Sequence, residues 1–171
     1  MNNRKVELCT LGTFPGDERP VSVNLNGRIT KNVVLAFTNG NCHSLALAIN
    51  ELTGYPIYGL VTEFDRNYLD GYPGHFAVKT PAGFLDIKGL NAVERRERRN
   101  GPITLVRYSP NDIREMSKPD TGIGYIKLHP GLAKPFALNL LKKYRLLPSV
   151  QGQLPSVQPS VRGSEGSRKR G

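Results

Sequence analysis

The chain has 171 residues, of which 38% are hydrophobic, and a formal net charge of +10. That length suits one domain and a tail, and no apolar run approaches the roughly 20 residues of a membrane-crossing helix. The charged start, Met1 to Lys5, lacks the apolar stretch of a signal peptide, so a cytoplasmic protein with Cys9 and Cys42 as reduced thiols is expected. From Lys142 to the C-terminus the net charge is +6, leaving +4 for everything before it. The body is mildly basic, which argues against the whole domain being a nucleic-acid binder.

Along the chain, the first 35 residues read as β-rich. Val6 to Leu11 alternates, Pro15-Gly16-Asp17 turns, and Val21 to Leu25 alternates again. Asn26-Gly27 reads as a hairpin turn. Val33 to Phe37 reads as a short buried strand or an approach to the next helix. That helix opens at Cys42, with Leu45, Ala46, Ile49 and Leu52 on one face. Asn41 is its expected N-cap and Gly54 its C′ residue, with Pro56 just beyond.

Tyr55 to Val61 reads as a strand. Residues 62–74 read as a loop rich in turn residues and aromatics, in which Asp65 and Asp70 serve turns. A hairpin follows, 75–80 against 84–88. If Phe76, Val78, Leu85 and Ile87 form its core face, then His75, Ala77, Phe84 and Asp86 share the other face. The tight turn leaves His75 and Asp86 diagonal, to be closed by a bend or bulge near Gly74. Asn91 to Arg99 reads as a charged helix, and its Arg95-Arg-Glu-Arg-Arg run as a solvated face. Ile103 to Tyr108 is a strand, Ser109 to Met116 a capped short helix, and a last helix starts at Pro135. His129 is placed in a loop. The tail repeats Leu-Pro-Ser-Val-Gln at 147 and 154 and is polar and Pro-rich, as disordered segments are. The domain is thus set at 1–147 and the basic tail at 148–171.

A cysteine at a helix N-terminus feels the positive end of the helix dipole, which favours the nucleophilic thiolate. Thiol catalysis also needs a base beside the sulfur and a group that orients the base. Cys42, His75 and Asp86 follow in that order. The stretch Gly40-Asn-Cys-His-Ser-Leu-Ala, then Thr53-Gly-Tyr-Pro, Gly74-His-Phe-Ala-Val and Phe84-Leu-Asp-Ile resembles the core of papain-like and transglutaminase-like cysteine enzymes. It also resembles small bacterial and phage proteins with a Gly-x-Cys-His-x-Leu-Ala motif. The resemblance covers residues 39–89 and implies an α+β domain with a nucleophile helix packed on an antiparallel sheet. Carried over, Cys42 is the nucleophile, His75 the base and Asp86 the orienting acid, with the Cys42 N–H as one oxyanion donor. The glutamine that precedes the cysteine in papain has no counterpart here, which leaves Asn39 or Asn41 as the side-chain donor. Tyr68, Tyr72 and His43 are expected to border the cleft.

The expected activity is therefore a thiol-dependent hydrolase or acyltransferase acting on an amide or peptide bond, with a peptide, protein or small amide as substrate. No cofactor and no metal are expected, because adjacent Cys42 and His43 on a helix do not converge easily on one ion. The alternative is an inactive basic module for nucleic acid or an acidic protein partner. The tail would then make weak, salt-dependent contacts.

Overall fold

The computed structural model describes residues 4–11, 18–69, 71–118 and 127–148. The turn expected at 15–17, Asp70, and all of the tail after Pro148 lie outside the described residues.

The protein is a mixed α+β domain with a small antiparallel sheet and helices. β1 (Lys5–Leu11) and β2 (Glu18–Asn24) form an antiparallel pair with Leu8 opposite Val21. The main sheet is antiparallel in the order β5-β4-β3-β6. It comprises β3 (Ile57–Val61), β4 (Phe76–Thr80), β5 (Gly83–Leu85) and β6 (Thr104–Tyr108). Strand alternation gives it two apolar faces. Ile57, Phe76, Val78, Leu85 and Ile87 join the main core, packed with α2 (Cys42–Thr53) and α6 (Pro130–Lys143). Leu60 and Ala77 join a smaller cluster with Ala92 of α4 (Ala92–Asn100), onto which Phe84 packs. The hairpin parity expected from the sequence is the parity observed, with Val78 paired to Leu85 and Lys79 to Phe84.

α2 is the central helix. Every residue from Cys42 to Ile49 is buried, so it is enclosed on more sides than its single apolar stripe requires. Gly54 ends it in the left-handed region, φ 73°, and its N–H donates to the Asn50 carbonyl. A non-glycine residue would meet strain there.

Four expectations are corrected. Residues 33–37 are not a strand; they lie in α1 (Lys31–Thr38), which Thr30 caps by accepting the Val33 N–H at 3.4 Å. Two consecutive β-branched valines suggest a strand, but Val33, Ala36 and Phe37 at helical spacing bury one face, and that burial decides. Asn26-Gly27 does not close a hairpin. β2 has already ended, Asn26 Oδ1 accepts the Arg28 N–H, and Gly27 lies where a Cβ would meet the Pro135 carbonyl. Within the expected loop 62–74 stands a short helix, α3 (Glu63–Tyr68). Thr62 and Asp65 form its reciprocal capping box, Asp65 standing where Glu or Gln is usual. Finally, α6 begins at Pro130, not Pro135, which lies inside it. α5 (Pro110–Met116) starts from Ser109 as expected, with a second capping box to Asp112. Among the described residues no helix is long and apolar enough to cross a membrane.

Candidate active site

Cys42 is the first residue of α2 and is buried, with 8% of its surface exposed. The turn before it is built by two residues. Gly40 takes φ 108°, a conformation that favours glycine. Asn41 is fully enclosed, and its Nδ2 donates to Cys9 O at 2.7 Å and to Ala36 O at 3.1 Å. Asn41 thereby ties β1 and α1 to the start of α2 and fixes where the thiol points. It occupies the N-cap position but makes no side-chain cap. The first N–H groups of α2 have no intrahelical acceptor, so the positive end of the helix faces the thiol uncapped by Asn41.

His75 immediately precedes β4, and its carbonyl accepts the Leu60 N–H at 2.8 Å. The backbone bends at Gly74, as the diagonal placement required. A Cβ at Gly74 would meet Asp65 and the Arg96 guanidinium, so the bend is packed tightly from behind. Asp86 directly follows β5 and opens a turn closed by its bridge to Gly89. His75 Nε2 lies 3.1 Å from Asp86 Oδ2. Asp86 Oδ1 accepts from the Lys88 N–H at 2.8 Å and from Arg95 Nη2 at 2.6 Å. Both carboxylate oxygens are thus engaged, which holds the carboxylate in one orientation.

The sequence alone places Arg95 on a solvated face. In the structure it also donates to the carbonyls of Gly89 and Leu90, so it clamps the whole Asp86–Gly89 turn. Its signal in the sequence is positional: α4 has almost no apolar residues to anchor it, which leaves its arginines to do so.

The Cys42 thiol is coupled electrostatically to the rings of His75 and His43. Burial by itself would raise the thiol pKa. The charge on His75 and the coupling to His43 outweigh it, and the thiol lies well below its ordinary value. Burial likewise opposes charge on His75. The Cys42 charge and the Asp86 hydrogen bond override it and raise the imidazole to about 9. Asp86 is lowered in spite of its burial, by its hydrogen bond to His75, the His75 charge and Arg95. All three shifts favour the charged forms: thiolate, imidazolium and carboxylate. With Nε2 on Asp86, the buried Nδ1 is the ring nitrogen left for the thiol, and as placed it makes no hydrogen bond. His43, expected only at the cleft border, is buried against the thiol itself.

A cavity of about 560 Å³ opens over His75 and Asp86. Asn39, Gly40, His75 and Asp86 line one part of it, and Arg95, Arg96 and Arg99 of α4 another. Cys42 is not among the lining residues; its neighbours Gly40 and His75 are. The oxyanion candidates separate here. Both hydrogens of the Asn41 amide are committed to backbone carbonyls, so it has no donor left, whereas Asn39 lines the cavity. Tyr72 does not line it and instead neighbours Tyr108 electrostatically, near β6. The Tyr68 side chain lies outside the described residues. His129 stands at the start of α6, where its N–H donates to Ser44 Oγ at 3.0 Å. Among the described residues no group of three or more His, Cys, Asp or Glu side chains is placed to hold a metal ion. No protein-family model, curated protein or solved structure matches the chain, so the chemistry must be read from the geometry alone.

Proposed function

We propose that the protein is a thiol-dependent hydrolase or acyltransferase of amide bonds, with a papain-like or transglutaminase-like core. The observation that supports this best is the ordered coupling of Cys42 to His75 and of His75 to Asp86. A thiol at a helix start lies beside an imidazole whose other nitrogen rests on a carboxylate at 3.1 Å.

In the reaction, the Cys42 thiolate attacks the amide carbonyl carbon and a C–S bond forms. The carbonyl oxygen takes up negative charge, facing the Cys42 N–H and the Asn39 side chain. The His75 imidazolium gives its Nδ1 proton to the leaving nitrogen, and the C–N bond breaks. A water or an amine then loses a proton to neutral His75 and attacks the thioester. The C–S bond breaks and the thiolate returns. Water gives hydrolysis, including deamidation when the leaving group is ammonia; an amine gives acyl transfer. Asp86 keeps the ring oriented and favours its charged form throughout.

The test is alkylation of the intact protein with iodoacetamide at neutral pH, followed by mass at Cys42. The expected rate exceeds that of free cysteine, and His75→Ala lowers it. A Cys42 rate no higher than free cysteine and unmoved by His75→Ala sinks the enzyme reading.

A further inference from the structure

Resting on that thiol reading, we propose that the cavity selects substrates carrying an anionic group, carboxylate or phosphoryl, held by Arg96, Arg99 and Lys88 beside the reacting carbonyl. Three observations carry this.

The first is the face that α4 turns to the site. Ala92, Arg95, Arg96 and Arg99 all line the cavity, and their spacing of three and four places them on one helix face. Arg98 does not line it. A helix that merely solvated its arginines would not gather them on the side facing a buried histidine.

The second is the balance of charge. Among the described residues, Asp86 is the only acid lining the cavity, and its oxygens are already held by His75, Lys88 N–H and Arg95. Arg99 and Lys88 are exposed and form no ion pair with a described residue. Arg96 is half-buried, its Nε is enclosed without a hydrogen-bond partner, and it senses the charges of Asp65 and Cys42. A concave site with several cations and no spare acid concentrates anions.

The third is continuity. A second groove, over α1, shares Lys88 and Arg99 with the cavity, adds Lys31, and has no described acidic residue in its lining. The two cations therefore stand where the openings meet, so an anion placed between them belongs to whatever enters the active site.

The probe is a pair of small alkylating reagents of opposite character, iodoacetate and iodoacetamide, applied to the full chain at low salt. The ratio of their rates at Cys42 is compared with the ratio for free cysteine. The proposal expects an enrichment for iodoacetate of about ten-fold. Arg99→Gln and Lys88→Gln should each lower that ratio by about two- to five-fold, the effect of an exposed charge pair. Both side chains are exposed, so neither change threatens folding. Protection of Cys42 from iodoacetamide by inorganic phosphate, against a dicarboxylate such as glutarate at matched ionic strength, then names the anion. Stronger protection by phosphate assigns a phosphoryl group, and stronger protection by glutarate a carboxylate. A fast iodoacetamide reaction without enrichment for iodoacetate overturns the substrate proposal alone. So does enrichment that survives both substitutions, because groups other than Arg99 and Lys88 would then attract the anion. So does a lack of protection by either anion. A slow iodoacetamide reaction overturns the thiolate reading and the substrate proposal together.

Discussion

Asp86→Asn separates charge from shape at the centre of the site. The amide oxygen can still accept from Lys88 N–H and Arg95, which bind Oδ1 in the native protein. Its NH₂ group then faces His75 Nε2, where a carboxylate oxygen stood at 3.1 Å. Two donors cannot satisfy each other, so His75 is satisfied only when neutral, with Nε2 accepting. In the native protein the imidazole is raised from 6.5 to about 9. That rise amounts to about 3 kcal/mol in favour of the charged ring. One adjacent carboxylate accounts for about one to three pH units of such an effect. His75 in the variant should therefore lose its proton near or below the ordinary imidazole range.

The thiol responds in turn, because the His75 charge is the largest influence lowering Cys42 against its burial. The assay is the pH dependence of iodoacetamide alkylation, checked by the ultraviolet absorbance of the thiolate. In the native protein the rate should rise at a pH well below the ~8.5 of a free cysteine. In Asp86→Asn that midpoint should move up by about one pH unit or more. Thermal unfolding of both proteins controls for folding. If two folded proteins give superimposable pH profiles, Asp86 does not set the charge on His75 and the proposed relay of charge fails.

Three further outcomes are expected. Arg95→Gln should shift the same profile in the same direction but by less, about 1 kcal/mol, because Arg95 is 30% exposed and solvent screens its loss; Arg95→Lys should restore part of the shift if charge, and not shape alone, matters. Reactivity toward amides should decline as pH rises through about 9, where His75 gives up its proton and no longer protonates the leaving nitrogen. The stabilising contribution of that raised imidazole is full below 6.5 and is lost over the same rise, so unfolding midpoints should fall there too. Gly89→Ala should lower stability by about 1–3 kcal/mol, since Gly89 has φ 105° and a Cβ there would meet the Tyr144 hydroxyl. Gly54→Ala, also at positive φ but facing open space, should cost about 1 kcal/mol and leave alkylation unchanged. A melt in which the two glycines behave alike would show that the Tyr144 contact is unimportant.

The legible parts of the sequence were those that local pattern determines. Alternation gave the hairpin its phase, because a one-residue slip would expose Phe76, Val78, Leu85 and Ile87. The stripe of α2 and its glycine stop were equally local. Local pattern fails where tertiary burial overrides propensity, as at Val33-Val34, and a capping box with Asp at its third position, Thr62 with Asp65, marks a helix that turn-rich composition hides. The role of Asn41 could not be read. Its amide spans to Cys9, 32 residues away, and nothing local distinguishes such a brace from a cap or an oxyanion donor. Arg95 was misassigned for the same reason: a basic run is solvated unless something buried answers it.

What answers it explains why α4 sits where it does. Ala92 is the only buried residue of this nine-residue helix, so apolar packing supplies little of its docking. Along the site the favoured charged forms alternate in sign: Cys42 thiolate, His75 imidazolium, Asp86 carboxylate, Arg95 guanidinium. An isolated ion at any of the first three positions would be expensive to bury, and each is tolerated because its neighbours carry the opposite sign. Arg95 ends the series at the surface, where solvent reaches it. Arg95 thus ties the helix to the turn after β5, in part through the same carboxylate that orients the imidazole. Docking of α4 and charging of the thiol are therefore linked. A change that frees α4 removes the Arg95 partner from Asp86 Oδ1. The cations of the cavity, Arg96 and Arg99, ride on that helix, so the surface proposed to hold the substrate's anion is anchored, through Arg95, to the carboxylate that orients His75.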